Sequence, residues 1–273
     1  MVKTVMLNSD IDISLRREAS MSSMAIGMGL TQIRKYDFKQ NGYFYSGLLS
    51  YTSGIERLLK LILIYDYRLN NGGIFPNNSY LKSLGHKLND LIDKAKKINV
   101  AHSLGLNDNF LDQDNIYKLI ISLLTDYAVQ ARYYNLDYLT GIQQAGIEPL
   151  FRWDKEVCTE ILKRHYKPKQ EKLDLLNQLA EEIEESVYVK FIQEDGSEIN
   201  NLKSLILQES QVPIKQKFSM YYLYTIARFF SKQCAELEFK GNYFPCLREF
   251  FMIYMNEDKK YILGRKMWNP LLP

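Results

Sequence analysis

The sequence predicts an all-α fold: an antiparallel helical bundle over residues 41–145, then a mostly helical C-terminal region with one small β-hairpin. Two observations carry this. Apolar residues recur at helical spacing through four long segments, whereas strand-like alternation occurs once, at Val187, Val189 and Phe191. The chain has 273 residues, 46% hydrophobic and 25% charged. That is the profile of a globular protein with ample material for a core, as one large domain or two small ones.

The elements follow in order. Residues 1–40 read as a polar, irregular N-terminal extension. Its small-residue stretch at 20–30 suits a short helix packed on the body or a mobile arm. No Lys-Ser or Lys-Thr follows its glycines, so they make no phosphate loop. Residues 43–69 are strongly helical, with Ile55, Leu58, Leu59, Ile62 and Leu63 at helical spacing and apolar residues spilling around the cylinder. Such a helix belongs at the centre of a bundle. It ends at Asn70-Asn71-Gly72-Gly73, and Pro76-Asn77-Asn78-Ser79 supplies caps for the next helix. In that helix, which ends near Asn99, Leu81, Leu84, Leu88, Leu91, Ile92 and Ala95 form one stripe. A polar loop through residues 106–109 leads to a third helix over 115–139, with Ile116, Ile120, Leu123, Tyr127, Ala131, Tyr134 and Tyr138 as its stripe.

Gly141, Gly146 and Pro149 mark a boundary, which opens the C-terminal region 146–273. Residues 151–186 read as two helices broken at Lys167-Pro168, the second with a solvated acidic face of Glu181, Glu182, Glu184 and Glu185. Residues 187–199 form the hairpin, with Glu194-Asp195-Gly196-Ser197 as turn chemistry. Helical pattern resumes at Leu202, breaks at Pro213, and continues through Phe218, Tyr221, Tyr222, Phe229 and Phe230.

Composition narrows the function classes. The formal net charge is only +3, so no global electrostatic footprint demands nucleic acid, while a local basic face remains open. The 20 tyrosines suit cores with polar rims, interfaces or stacking platforms alike. Cys158, Cys234 and Cys246 are scattered, which fits a reducing cytosol and neither a disulfide framework nor a zinc site. The longest apolar run, residues 58–64, contains Lys60 and is too short to span a bilayer, so a cytoplasmic protein without membrane contact is expected. No nucleophile elbow, zinc helix, Walker loop or dinucleotide fingerprint occurs, and no metal or cofactor is expected.

Three constellations could carry chemistry. His86 and Asp90 lie opposite the leucine stripe, four residues apart, where an imidazole beside a carboxylate can titrate or meet a partner; an ordinary surface pair satisfies the same spacing. Glu56 and Lys60 stand at i and i+4 on the first bundle helix. They suit either a surface ion pair or charges held inside the bundle. Arg132, with Tyr133, Asn135 and Asp137, forms a kit suited to holding a phosphate or a carboxylate. The alternative is a structural bridge from Arg132 to Glu56 or to Asp137. His102 and His165 read as surface residues.

Three segments taken together carry a resemblance: Ser53-Gly54-Ile55-Glu56-Arg57-Leu58-Leu59-Lys60, Leu84-Gly85-His86-Lys87-Leu88-Asn89-Asp90-Leu91, and Ala131-Arg132-Tyr133-Tyr134-Asn135-Leu136-Asp137. Their succession over residues 41–145 resembles the HEPN superfamily, in particular bacterial members with a Gly-His pair opening the second helix. The resemblance implies a compact antiparallel bundle, usually a homodimer. Many such proteins are metal-independent ribonucleases of toxin–antitoxin, phage-defence and CRISPR-associated systems. Active members carry an Arg followed four to six residues later by His, and here no His follows Arg132 in that range. Either the pair is rebuilt in space from His86 and Arg132, or the chain is a non-cutting member. In the first case the resemblance implies His86 as acid or base, Asp90 orienting it and Arg132 neutralising phosphate, with Glu56, Lys60, Tyr133, Asn135 and Asp137 contacting substrate.

Three functions therefore stand: an RNA-directed defence or toxin endoribonuclease, a non-catalytic module on the same bundle whose tyrosine-rich C-terminal half binds a protein or nucleotide partner, and a small-molecule sensor with its pocket between the two halves. Convergence of Arg132 and His86 on one open cleft separates the first from the second.

Overall fold

The computed structural model describes residues 10–142, 146–192 and 198–270. The fold is mostly helical with one two-stranded antiparallel sheet. The first half comprises α1 (Asp10–Lys35), α2 (Gly42–Asn70), α3 (Asn78–Ser83), α4 (Leu88–Ala101), α5 (Asn109–Gln113), α6 (Asn115–Val129), a 3-10 turn (Ala131–Tyr133) and α7 (Tyr134–Leu139). The second half opens with α8 (Pro149–Arg152), which runs through a π-helical turn (Trp153–Cys158) into α9 (Thr159–His165). Next come α10 (Gln170–Ile183), strands β1 (Phe191–Ile192) and β2 (Glu198–Ile199), α11 (Leu202–Gly241), α12 (Arg248–Phe251) and α13 (Lys259–Gly264).

The backbones of α1 and α2 nearly touch. A Cβ placed on Gly29 would lie 2.5 Å from the Tyr51 Cβ, and one on Gly54 would lie 2.7 Å from the Ile26 amide nitrogen. Only glycine permits that approach. Ser22 Oγ donates to the Gly54 carbonyl at 2.8 Å. Residues rising along α2 meet residues falling along α1, so the pair is antiparallel. The extension read as polar and irregular thus contains a core helix, with Leu15, Ala19, Ile26, Leu30 and Ile33 buried. Its small residues serve contact with α2.

Helix α2 is central, as its all-round apolar character predicts, and packs on α1, α4, α6 and α11. Tyr51 is fully buried and donates to the Leu223 carbonyl at 2.6 Å, which pins α2 to the middle of α11. Gln233 Nε2 donates to the Ala95 carbonyl at 2.6 Å, which joins α11 to α4. Near the C-terminal end, Tyr254 donates to the Ser23 carbonyl at 2.7 Å, and Trp268 is buried, its backbone N–H donating to Thr31 Oγ1 of α1 at 2.8 Å. The apolar core runs without interruption from Leu15 to Trp268, across positions 40 and 146.

Four expectations change. The helix predicted through residues 81–95 is interrupted: Gly85 takes φ +68° between α3 and α4, so His86 lies in a loop rather than on a helix face with Asp90. The helix predicted over 115–139 ends at Val129, before Arg132. Pro213 sits inside α11 without breaking it. Its ring is exposed, as is Glu209 one turn earlier, so the carbonyl deprived of an N–H partner faces water. Glu184, read as merely solvated, accepts the Leu202 amide proton at 3.0 Å and so caps α11.

The hairpin forms with Phe191 opposite Ile199 and Ile192 opposite Glu198, while its turn lies outside the described residues. No helix among those described is long and apolar enough to cross a membrane.

Gly29→Ala and Gly54→Ala should each lower stability by about 1–3 kcal/mol, because backbone rather than side-chain ends occupies the space. Gly42→Ala, with nothing within 4 Å of the added Cβ, should leave stability unchanged or raise it by up to about 1 kcal/mol. Urea denaturation of the three variants measures this; equal effects at all three would refute the close-contact account.

A candidate cleft between α2, α4 and the end of α6

A cavity of about 900 Å³ opens on the face of α2 that α1 and α11 leave free. Thr52, Glu56 and Lys60, at i, i+4 and i+8, line one wall, with Ser53 and Arg57 beside them. The loop at residues 83–87 brings His86 and Lys87 to the opposite side. Asp90 and Lys94 enter from successive turns of α4, Tyr127 and Ala128 from the end of α6, and Arg132 from the 3-10 turn. Glu18 of α1 closes the remaining edge.

Glu56 organises the charges. Its Oε1 accepts from Lys60 Nζ at 2.8 Å and lies 2.8 Å from His86 Nδ1. The Glu56 side chain is only 16% exposed, whereas that of His86 is 70% exposed. A carboxylate accepts only, so the proton of the neutral ring sits on Nδ1 and Nε2 presents its lone pair. Arg57 is held by Glu18 at 2.6 Å. Lys87 and Lys94 form no ion pair among the described residues. Arg132 donates from Nη2 to the Ala128 carbonyl, which holds it against the end of α6 and leaves further guanidinium N–H groups to bind. Tyr127, in the cleft wall, donates to the Tyr45 carbonyl at 3.3 Å, and burial raises its pKa above the ordinary value. Five lysine and arginine side chains thus meet three carboxylates in one cavity. It is a basic pocket on a chain with little net charge.

The cavity gathers five of the residues singled out in the sequence, His86, Asp90, Arg132, Glu56 and Lys60, and leaves three outside. Tyr133 is exposed, with Arg132 5.9 Å from its ring centre. Asn135 and Asp137 belong to α7 and are not part of the lining. The cause is the break after Val129, which turns residues 133–139 off the axis of α6. Two roles also move. Glu56, not Asp90, holds the imidazole, and of the two structural bridges open to Arg132 the one to Glu56 gives way to the Lys60–Glu56–His86 cluster. Thr52, Arg57, Lys87 and Lys94 were missed as site residues. The four-residue spacing of Thr52, Glu56 and Lys60 on a helix of mostly apolar residues was the available signal.

The other two histidines are packed rather than superficial. His102 Nε2 lies 2.7 Å from Asp66 Oδ1 and ties the end of α4 to α2. His165 stacks on Phe218 with ring centres 3.5 Å apart and hydrogen-bonds the Tyr222 hydroxyl at 2.9 Å. Among the described residues no group of three or more His, Cys, Asp or Glu side chains is placed to hold a metal ion. No protein-family model matches the chain, and no curated protein or solved structure is significantly similar to it.

Burial first, and Lys259 and Arg164 after it, push the His165 pKa below its ordinary 6.5. The folded protein therefore resists a proton that the unfolded chain accepts. This contribution is fully present above pH 6.5 and is lost as pH falls from 6.5 through the lowered folded value. Urea midpoints from pH 8 to 5 should fall more steeply for the native protein than for His165→Gln. Parallel profiles would refute the assignment.

Proposed function

We propose that this cleft binds the phosphodiester backbone of RNA and cleaves it without a metal ion, making the chain a HEPN-like endoribonuclease of the cytoplasmic defence or toxin kind. The observation that carries the proposal is the meeting of His86, held by Glu56, with the cations Arg132, Lys87 and Lys94 in one open cavity. The sequence departs from the Arg–His spacing of active family members, and this arrangement supports the alternative of a pair rebuilt in space.

The chemistry follows from the groups. Neutral His86 accepts the proton of a ribose 2′-hydroxyl at Nε2, and the freed oxygen attacks the adjacent phosphorus. The bond from phosphorus to the 5′-oxygen breaks, and that oxygen takes a proton from water. The products are a 2′,3′-cyclic phosphate and a 5′-hydroxyl, and His86 returns its proton to solvent. Glu56 stabilises the imidazolium formed on the way. Arg132 and Lys94 offset the extra negative charge of the five-coordinate phosphorus, which is the larger electrostatic task.

A second reading has its own support. Leu136, Tyr138, Leu139 and Ile142, on α7 and just after it, are more than half exposed. An apolar surface of this kind suits a protein partner. On this reading the bundle is an interaction module, and a second copy of the chain is the simplest occupant.

Incubated with total RNA, the protein should cut in excess EDTA, because side chains alone supply proton transfer and charge. His86→Ala and Arg132→Ala, once shown to be folded, should each reduce the rate by about 10²–10⁴-fold. Glu56→Gln should impair cleavage and Asp90→Asn should not, which separates the two candidates for orienting the imidazole. Cleavage abolished by chelator, or full activity in both folded alanine variants, would overturn the mechanism.

A further inference from the structure

Threonine inside a helix usually returns its hydroxyl to the carbonyl four residues back. Three threonines in the long helices do so: Thr31 to Gly27 at 2.8 Å, Thr125 to Ile121 at 2.8 Å and Thr225 to Tyr221 at 2.9 Å. Thr52 differs. It is 4% exposed, and its hydroxyl has no hydrogen-bond partner. A buried polar group without a partner is costly; eight such side-chain atoms occur among the described residues, and Thr52 Oγ1 is the one whose residue lines the cleft.

The position of Thr52 gives its hydroxyl a use. It stands one turn before Glu56 on the α2 face that forms the cleft wall. Both bonds to Glu56 fall on Oε1, and Oε2 has none among the described residues. The cleft wall therefore carries a carboxylate oxygen and, on the adjacent turn with Cβ atoms about 5–6 Å apart, a hydroxyl that is itself shielded from water and reaches the cavity only by a turn about the Thr52 Cα–Cβ bond. A ligand hydroxyl that both donates and accepts satisfies the two together. It can donate to Glu56 Oε2 and accept from Thr52 Oγ1, with the neighbouring cations left for phosphate.

We propose that Thr52 and Glu56 form a subsite for a ribose 2′-hydroxyl, and that Thr52 is the residue by which the cleft distinguishes RNA from DNA. This rests on the RNA-binding reading of the cleft. The hydroxyl recognised belongs to the nucleotide beside the scissile one, since the reacting 2′-hydroxyl faces His86. The 2′-hydroxyl is the group that separates the two nucleic acids, and a deoxyribose leaves both protein groups unsatisfied.

Fluorescence anisotropy with labelled RNA and DNA 12-mers of one sequence tests this in a His86→Ala background, where the RNA stays intact. RNA should bind more tightly by about tenfold, the effect of one well-formed hydrogen bond. Adding Thr52→Val, which keeps the shape and removes the hydroxyl, should erase the preference by weakening RNA while DNA affinity stays within about twofold of its starting value. Thr52→Ser should restore the preference. The urea midpoint of the valine variant should equal or exceed that of the threonine protein, because no bond is lost on substitution. An RNA preference that survives Thr52→Val overturns the proposal. Equal binding of RNA and DNA with Thr52 present also overturns it, yet leaves the nucleic-acid cleft standing. Binding of neither overturns both.

Discussion

The near-contact of α1 and α2 backbones at Gly29 and Gly54 decides the rest of the architecture. It fills one side of α2 with a helix too close for any side chain to intervene. A second side is taken by α11, fixed through the buried hydroxyl of Tyr51 on the Leu223 carbonyl. What remains of the α2 surface toward α4 and the end of α6 is the strip with Thr52, Glu56 and Lys60. A central helix can carry charges only where some face stays open or paired. The polar strip and the cleft are therefore consequences of one packing arrangement.

Within the cleft the same logic operates at the scale of atoms. Glu56 is mostly shielded from solvent, and a lone carboxylate there would be poorly solvated. Lys60 and His86 share one of its oxygens, which compensates the charge and fixes the imidazole ring. That contact needs His86 off the helix. On a continuous helix through residues 81–95 the ring would point away from the leucine stripe into solvent. Gly85, in the left-handed region, turns the chain between α3 and α4, so Leu84 and Leu88 stay buried while His86 reaches back to α2. The break that overturned the predicted His86–Asp90 pair is what brings His86 to Glu56.

How much was legible follows from which signals are local. Helical periodicity located α2, α6 and α11, and the Asn-Asn-Gly-Gly stop located the end of α2 within a residue. The apolar character of α2 all round marked Glu56 and Lys60 as unusual, and both line the cleft. The failures have a shared cause. Gly85, the break after Val129 and Pro213 are each decided by tertiary packing rather than propensity: two leucine anchors keep their places across a left-handed glycine, α6 stops short, and Pro213 is tolerated on a solvent face. The small residues of α1 looked like a weak, irregular stretch because their value lies in what they permit α2 to do. Thr52 was invisible, since a threonine without its usual back-bond cannot be told from any other until the hydroxyl's surroundings are known.

The two walls of the cleft differ in mechanical character, and this bears on how a reacting geometry could be held. Thr52, Glu56 and Lys60 stand on a core helix, where backbone hydrogen bonding and packing on several sides fix each side chain to its neighbours. His86 and Arg132 come from short connecting segments, a loop of a few residues and a single 3-10 turn. Sites built on loops lose precision unless something rigid supports them. Here each group is tied back to a long helix by a hydrogen bond, His86 to Glu56 of α2 and Arg132 to the Ala128 carbonyl of α6. The two tethers place an imidazole and a guanidinium around one cavity, each anchored to a long helix. In the proposed reaction Glu56 carries two demands at once: it must hold His86 in the resting cleft and stabilise its protonated form. A carboxylate with one oxygen shared by Lys60 and His86, and the other free, meets both.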